Sequence, residues 1–133
     1  MANTTFTGPV RSQNGFQSIS IDSTTGAVTV NSSFGTDVTL GTQSLSGAGA
    51  VDITNAFTSL TTTGASQALT LADGTVGQLK VIVHAVDGGS AVLTPTTKIG
   101  FSTVTFAAVG DSVTLIYTSA GWVILASRGV TIA

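Results

Sequence analysis

A chain of 133 residues with four basic side chains, six Asp, no Glu and no Cys has the length of one domain, and can bury roughly two-thirds of its unfolded surface. The absence of Cys excludes disulfides, thiolate metal sites and redox motifs, and a net charge of -2 excludes the cationic footprint that nucleic-acid binding requires. Charged residues make up only 8%, while twenty-four Thr and sixteen Gly suit pleated strands and turns rather than helix surfaces.

Residues 1–16 read as an extended N-terminal arm. Phe6, Val10 and Phe16 are too widely spaced for a helix face, Pro9 fixes φ, and Gly8 and Gly15 interrupt any regular pattern. With Arg11 they are the candidate contacts to a partner that orders the arm. The segment has neither the basic start nor the apolar stretch of a signal peptide, and no apolar run in the chain is long enough to span a bilayer. Synthesis in a cytoplasm and no membrane association are therefore expected.

Residues 17–133 are expected to form one β-domain. Its recurring unit is apolar-Thr-apolar, as in Val28-Thr29-Val30, Val38-Thr39-Leu40, Leu69-Thr70-Leu71, Val104-Thr105-Phe106 and Val113-Thr114-Leu115. Such a triplet sends two apolar side chains to one face and the Thr to the other, as in a sheet with one wet side. Asp22-Ser23-Thr24-Thr25-Gly26, Asn31-Ser32-Ser33-Phe34-Gly35 and Gly47-Ala48-Gly49 read as turns. Residues 55–60 fit either a strand or a helical turn.

The longest strand is expected over 78–86. Leu79, Val81, Val83 and Ala85 form its uninterrupted apolar face and are expected to point inward; Lys80, Ile82 and His84 belong to the mixed face. Asp87-Gly88-Gly89 and Thr118-Ser119-Ala120-Gly121 read as hairpin turns. The strand that follows, from Trp122 to Ser127, is apolar on both faces and so needs cover on both sides, from the domain or from a neighbouring subunit. Tyr117, Trp122 and Ile124 are the candidate contacts to the core or to such a subunit, which the resemblance given below makes a trimer contact. The expectation is an all-β, single-domain antiparallel β-sandwich or jelly-roll-like barrel with an extended N-terminal arm.

Nothing in the chain assembles a catalytic motif, so no enzyme is expected. The single His, His84, would have to serve any Ser-His-Asp triad, and nucleophile-elbow, dinucleotide and P-loop patterns are absent. A lone His makes no zinc site, and the Asp-Gly pairs at 73–74 and 87–88 read as turns rather than Ca²⁺ loops. No cofactor or metal is expected. Tyr117 and Trp122 could form an aromatic platform for a sugar, but a cross-strand core pair is the simpler reading.

Residues 73–78, 110–115 and 121–125 resemble the small β-rich structural proteins of tailed bacteriophages. The opening Met1-Ala2-Asn3-Thr4-Thr5-Phe6-Thr7-Gly8-Pro9-Val10-Arg11-Ser12 with Asn14-Gly15-Phe16 looks like the start of their capsid decoration, or cement, proteins. That resemblance implies a homotrimer on the outer capsid surface of the virion, near a local threefold axis, bridging major capsid protein subunits and stabilising the shell. The C-terminal phrase is also similar to modules in phage fibres, which keeps a receptor- or glycan-binding module as the alternative, with a bacterial carbohydrate-binding domain behind it. A short chain that starts at its own Met1 is expected to be a stand-alone capsid accessory.

Overall fold

A computed structural model describes residues 16–34 and 38–133. The chain divides into two compact units, Met1–Thr39 and Leu40–Ala133. In the first, β1 (Phe16–Ile21), β2 (Val28–Phe34) and β3 (Val38–Thr39) form an antiparallel sheet in that order. The turn after β1 is the expected one. Asp22 Oδ1 accepts from the amides of Thr24 and Thr25, both at 2.8 Å, and Gly26 closes the turn at φ 71°. The second expected turn is corrected: residues 31–34 lie within β2, where Ser32, Ser33 and Phe34 pair with Ser18, Gln17 and Phe16. Cross-strand pairing overrides the turn preference of the serines. Phe16, grouped with the arm by its spacing, is the first residue of β1.

Hydrogen bonds from the amides of Thr25 and Thr24, and then from the Thr25 hydroxyl, hold the Asp22 carboxyl below its usual 3.8. A folded value below the unfolded one means that this stabilisation is complete above about pH 4 and is lost as pH falls through the folded value. Protection of the Thr24 and Thr25 amides, taken relative to their intrinsic exchange rates, is expected to fall on acidification through that value, with no such step in Asp22→Ala. NMR across that range checks it.

The second unit is the expected two-sheet β-sandwich. It is built from β4 (Thr42–Ser46), β5 (Gly49–Val51), β6 (Phe57–Thr61), β7 (Gln67–Leu71), β8 (Leu79–Val86), β9 (Ala91–Pro95), β10 (Val104–Phe106), β11 (Ser112–Thr118), β12 (Gly121–Arg128) and β13 (Thr131–Ile132). One sheet runs β12-β11-β8-β6-β4 and the other β13-β10-β9-β7-β5.

The strand pairing differs from the antiparallel and jelly-roll expectation. β4, β6 and β8 are parallel neighbours, as are β5, β7 and β9. From β4 to β9 the chain alternates between the sheets, so each pair of strands is one turn of a coil and each new turn stacks on the last. Antiparallel strands then close it: β10 and β13 in one sheet, β11 and β12 in the other.

The Asp87-Gly88-Gly89 turn is therefore an arch between sheets rather than a hairpin. Its glycines lie against the preceding arch: a Cβ on Gly88 would sit 2.4 Å from the Thr62 carbonyl oxygen, and one on Gly89 2.4 Å from the Gly64 carbonyl. Close stacking of successive arches is what requires glycine here. The Thr118–Gly121 turn is a hairpin as expected, with Tyr117 opposite Trp122.

Side chains from both sheets meet in a core that includes Leu60, Leu69, Leu71, Ile82, Leu93, Val104, Phe106, Leu115 and Trp122. The apolar-Thr-apolar reading holds for β7, β10 and β11, whose flanking apolar residues are buried while the central Thr faces outward. For β8 the expected facing is reversed. Lys80, Ile82 and His84 are buried, and Leu79, Val81, Val83 and Ala85 form the outer row.

Two polar contacts explain the reversal. Lys80 Nζ donates to the Asn55 carbonyl at 2.7 Å, just before β6, and His84 Nε2 meets the Thr62 hydroxyl at 2.9 Å, just after it. The inner face of β8 thus fastens both ends of β6. These bonds offset much of the cost of burying Lys80 Nζ and His84 Nε2, although His84 Nδ1 is buried without a partner, and the apolar row is released to the outside.

A third polar side chain, the Gln43 carboxamide, closes the start of the coil. Gln43 on β4 donates to the Ala50 carbonyl at 2.9 Å and accepts from the Asp52 amide at 3.0 Å. Those are main-chain groups within β5 and just after it, at the outer strand of its sheet. The same Gln43 oxygen accepts from Thr58 Oγ1 at 2.9 Å.

Candidate docking face

Strand register assembles the outward residues of β6, β8, β11 and β12 into rows. Leu79 lies beside Ile116 and Ile116 beside Val123. Phe57, Val81, Thr114 and Ala126 form the next row, and Ser59, Val83, Ser112 and Arg128 the third. A register shift between Thr114 and Leu115 leaves Leu125 as an extra residue in β12. Such a bulge re-aims a side chain, and Leu125 is 56% exposed, with Leu79 at 48%.

The rows make a broad apolar face whose single charge, Arg128, stands at its edge. The outer face of the other sheet is different in kind. Ala50, Thr70 and Thr94 form one row there, and Ala68, Val92, Thr105 and Thr131 another. Small and hydroxyl side chains suit water; a contiguous face of Leu, Ile, Val and Phe marks an interaction surface. Phe57, Val81, Val83, Ile116 and Val123 are already half-buried while Leu79 and Leu125 are exposed, so covering the face gains only part of the roughly 1.5–3 kcal/mol of full burial for most of these side chains.

Tyr117 and Trp122 meet edge to face, with ring centroids 5.1 Å apart. Trp122 is completely buried and its Nε1 donates to the Ala72 carbonyl at 2.9 Å. Tyr117 and Ile124 pack against the same core. All three are core contacts, and the buried Trp122 ring offers no face to a sugar. Desolvation, reinforced by the negative charge of Asp73, raises the Tyr117 phenol above its usual value. Phe6, Pro9, Val10 and Arg11 lie outside the described residues.

His84 is fully buried, edge-on to Phe106. The Thr62 hydroxyl also accepts from the Gly88 amide at 2.9 Å and donates to the Gly89 carbonyl at 2.8 Å. With its proton committed to Gly89, Thr62 can only accept from His84, which places the imidazole proton on Nε2. Asp87 and Asp111 serve local turns, accepting from Gly89 and from Ala107 and Ala108; the expected turn at Asp73-Gly74 is corrected, since the turn lies at Val76-Gly77 and Asp73 accepts from the amide and hydroxyl of the distant Thr97. Among the described residues no group of three or more His, Cys, Asp or Glu converges to hold a metal ion.

The apolar face escaped the sequence reading because β8 was assigned the opposite orientation. The signal was present in Lys80 and His84: long polar side chains can reach main-chain partners inside, so an apolar row need not be the inner one. No family model matches the chain, and no curated protein matches its sequence.

Proposed function

We propose that this chain is a non-enzymatic virion structural protein that binds the outer surface of a bacteriophage capsid as a homotrimer, bridging major capsid protein subunits. The observation that carries the reading is the apolar face of β6, β8, β11 and β12, charged only at its edge by Arg128 and set opposite a Thr-lined one. A protein whose work is to stay bound needs such a face and no chemistry. Its attachment rests on apolar burial and shape, so it depends weakly on salt. Because it favours the assembled shell, binding stabilises that state by mass action.

Incubation with undecorated capsids, followed by imaging and light scattering, tests this. The trimer is expected to add density at threefold positions. The Leu79→Lys/Leu125→Lys double variant is expected to keep its thermal midpoint within a few degrees, since both side chains are exposed, and to lose decoration. Deleting residues 1–15 is expected to have the same effect on decoration through loss of Phe6, Pro9, Val10 and Arg11. Full occupancy by either form would overturn the role given to the altered region. The coiled strand order, which can be extended turn by turn, favours the second reading, a receptor- or glycan-binding module of a phage fibre; it is supported if the wild type ignores capsids and binds host cells.

A further inference from the structure

Three side chains at one edge of the sandwich bring an amine, a carboxylate and a carboxamide together. Lys80 is 1% exposed, and its Nζ lies 3.8 Å from Asp52 Oδ1. The second Asp52 oxygen accepts from Asn55 Nδ2 at 2.9 Å. The carboxylate thus bridges the amine and the carboxamide, while Nζ is held against Asn55 itself through the main-chain oxygen at 2.7 Å. Gly41 makes room for this arrangement: a Cβ there would come within 2.6 Å of Asn55 Oδ1.

We propose that Lys80 and Asn55 become joined by an intramolecular isopeptide bond, with Asp52 as the proton carrier. The neutral Lys80 amine attacks the Asn55 side-chain carbonyl carbon, Cγ. Asp52 takes a proton from Nζ and delivers it to Nδ2, the Cγ–Nδ2 bond breaks, and ammonia leaves. One carbon–nitrogen bond forms and one breaks, the carboxylate is regenerated, and no oxidant or co-reactant is consumed.

The surroundings suit the reaction. Burial pushes the Lys80 ammonium below its usual value, against the opposing pull of Asp52, and a desolvated lysine is the form in which the amine becomes a nucleophile. The general acid and base is already hydrogen-bonded to the leaving group. Lys80 and Asn55 are 25 residues apart, so the bond would tie β8 to the segment entering β6 and close one turn of the coil covalently.

Mass spectrometry of the full chain after denaturation and trypsin tests the proposal. An acylated Lys80 resists trypsin, so cleavage after Arg11 and Lys98 releases residues 12–98 as one peptide, lighter by about 17 Da for the lost ammonia. Asp52→Asn and Asn55→Ala are each expected to restore full mass and cleavage after Lys80. Full mass and complete cleavage in the wild type would overturn the proposal. A loss of about 18 Da would place the bond on Asp52 with release of water and overturn the assignment to Asn55. Persistence of the lighter, uncleaved peptide in Asn55→Ala would do the same.

Discussion

Trp122→Ala is expected to lower the stability of the Leu40–Ala133 unit by about 4–5 kcal/mol, the largest effect of any single truncation in the core. The ring is fully buried, edge-on to Tyr117, and lies directly over Gly74, where a Cβ would be 3.0 Å from the ring. Its removal opens a cavity where the hairpin, the Ala72–Gly74 segment and the main chain at Thr97 meet. Truncation also leaves the Ala72 carbonyl without its indole donor. Trp122→Phe separates the two contributions: it keeps most of the packing and loses the hydrogen bond, for an expected cost of about 1–2 kcal/mol. Urea denaturation of both variants gives the comparison, and near-equal losses would show that the hydrogen bond, rather than packing, dominates at this site.

Gly89→Ala is expected to cost about 3 kcal/mol or more, although it adds a single methyl group to a surface arch. Two restrictions coincide. Gly89 has φ 140°, in a region that L-residues rarely occupy, and its Cβ would meet main-chain atoms of Gly64 at 2.4 Å and Ala65 at 2.7 Å. Main chain cannot swing aside as a flexible side chain can, so the two arches must separate. That would also pull the Gly89 carbonyl from Thr62, which holds His84. Gly100→Ala supplies the contrast, because φ is 81° there but nothing lies within 4 Å of the added atom. Its expected cost is the conformational one, about 1 kcal/mol. Equal denaturation midpoints for the two variants would show that arch stacking contributes nothing.

The same arches explain how far the sequence could be read. Composition and the apolar-Thr-apolar triplets pointed to strands, and the burial of Leu69, Leu71, Val104, Phe106, Val113 and Leu115 follows that pattern. The coil could not be read in the same way. A turn of Asp-Gly-Gly serves a hairpin or an arch equally well, and whether the next strand lies in the same sheet or the opposite one depends on partners remote in sequence. Residues 31–34 show the same limit at smaller scale, since serines that favour a turn become a strand when Phe16–Ser18 lie alongside.

The candidate face depended on a single orientation. In β8 the choice lay between burying Leu79, Val81, Val83 and Ala85 or burying Lys80, Ile82 and His84, and hydropathy alone selects the first. The second prevails where Asn55 and Thr62 supply main-chain and hydroxyl partners for the polar atoms. Those partners are 25 and 22 residues away, beyond the reach of any local pattern. The pairing of Tyr117 with Trp122, by contrast, spans one tight hairpin, and its core role follows from the short sequence that encodes it.

Gln43 has a consequence for purity of assembly. A coil of parallel strands presents the start of each sheet as a template on which another molecule could stack, and repeated stacking would yield fibres. Here the carboxamide occupies the outward Ala50 carbonyl and Asp52 amide, leaving one layer without its docking groups. Fewer main-chain groups are left there for another strand to pair with, so this edge of β5 is protected by a side chain rather than by repulsive charge. In a chain with so few charges to keep copies apart, that hydrogen-bonded cap supplies part of the edge protection that charge would otherwise give.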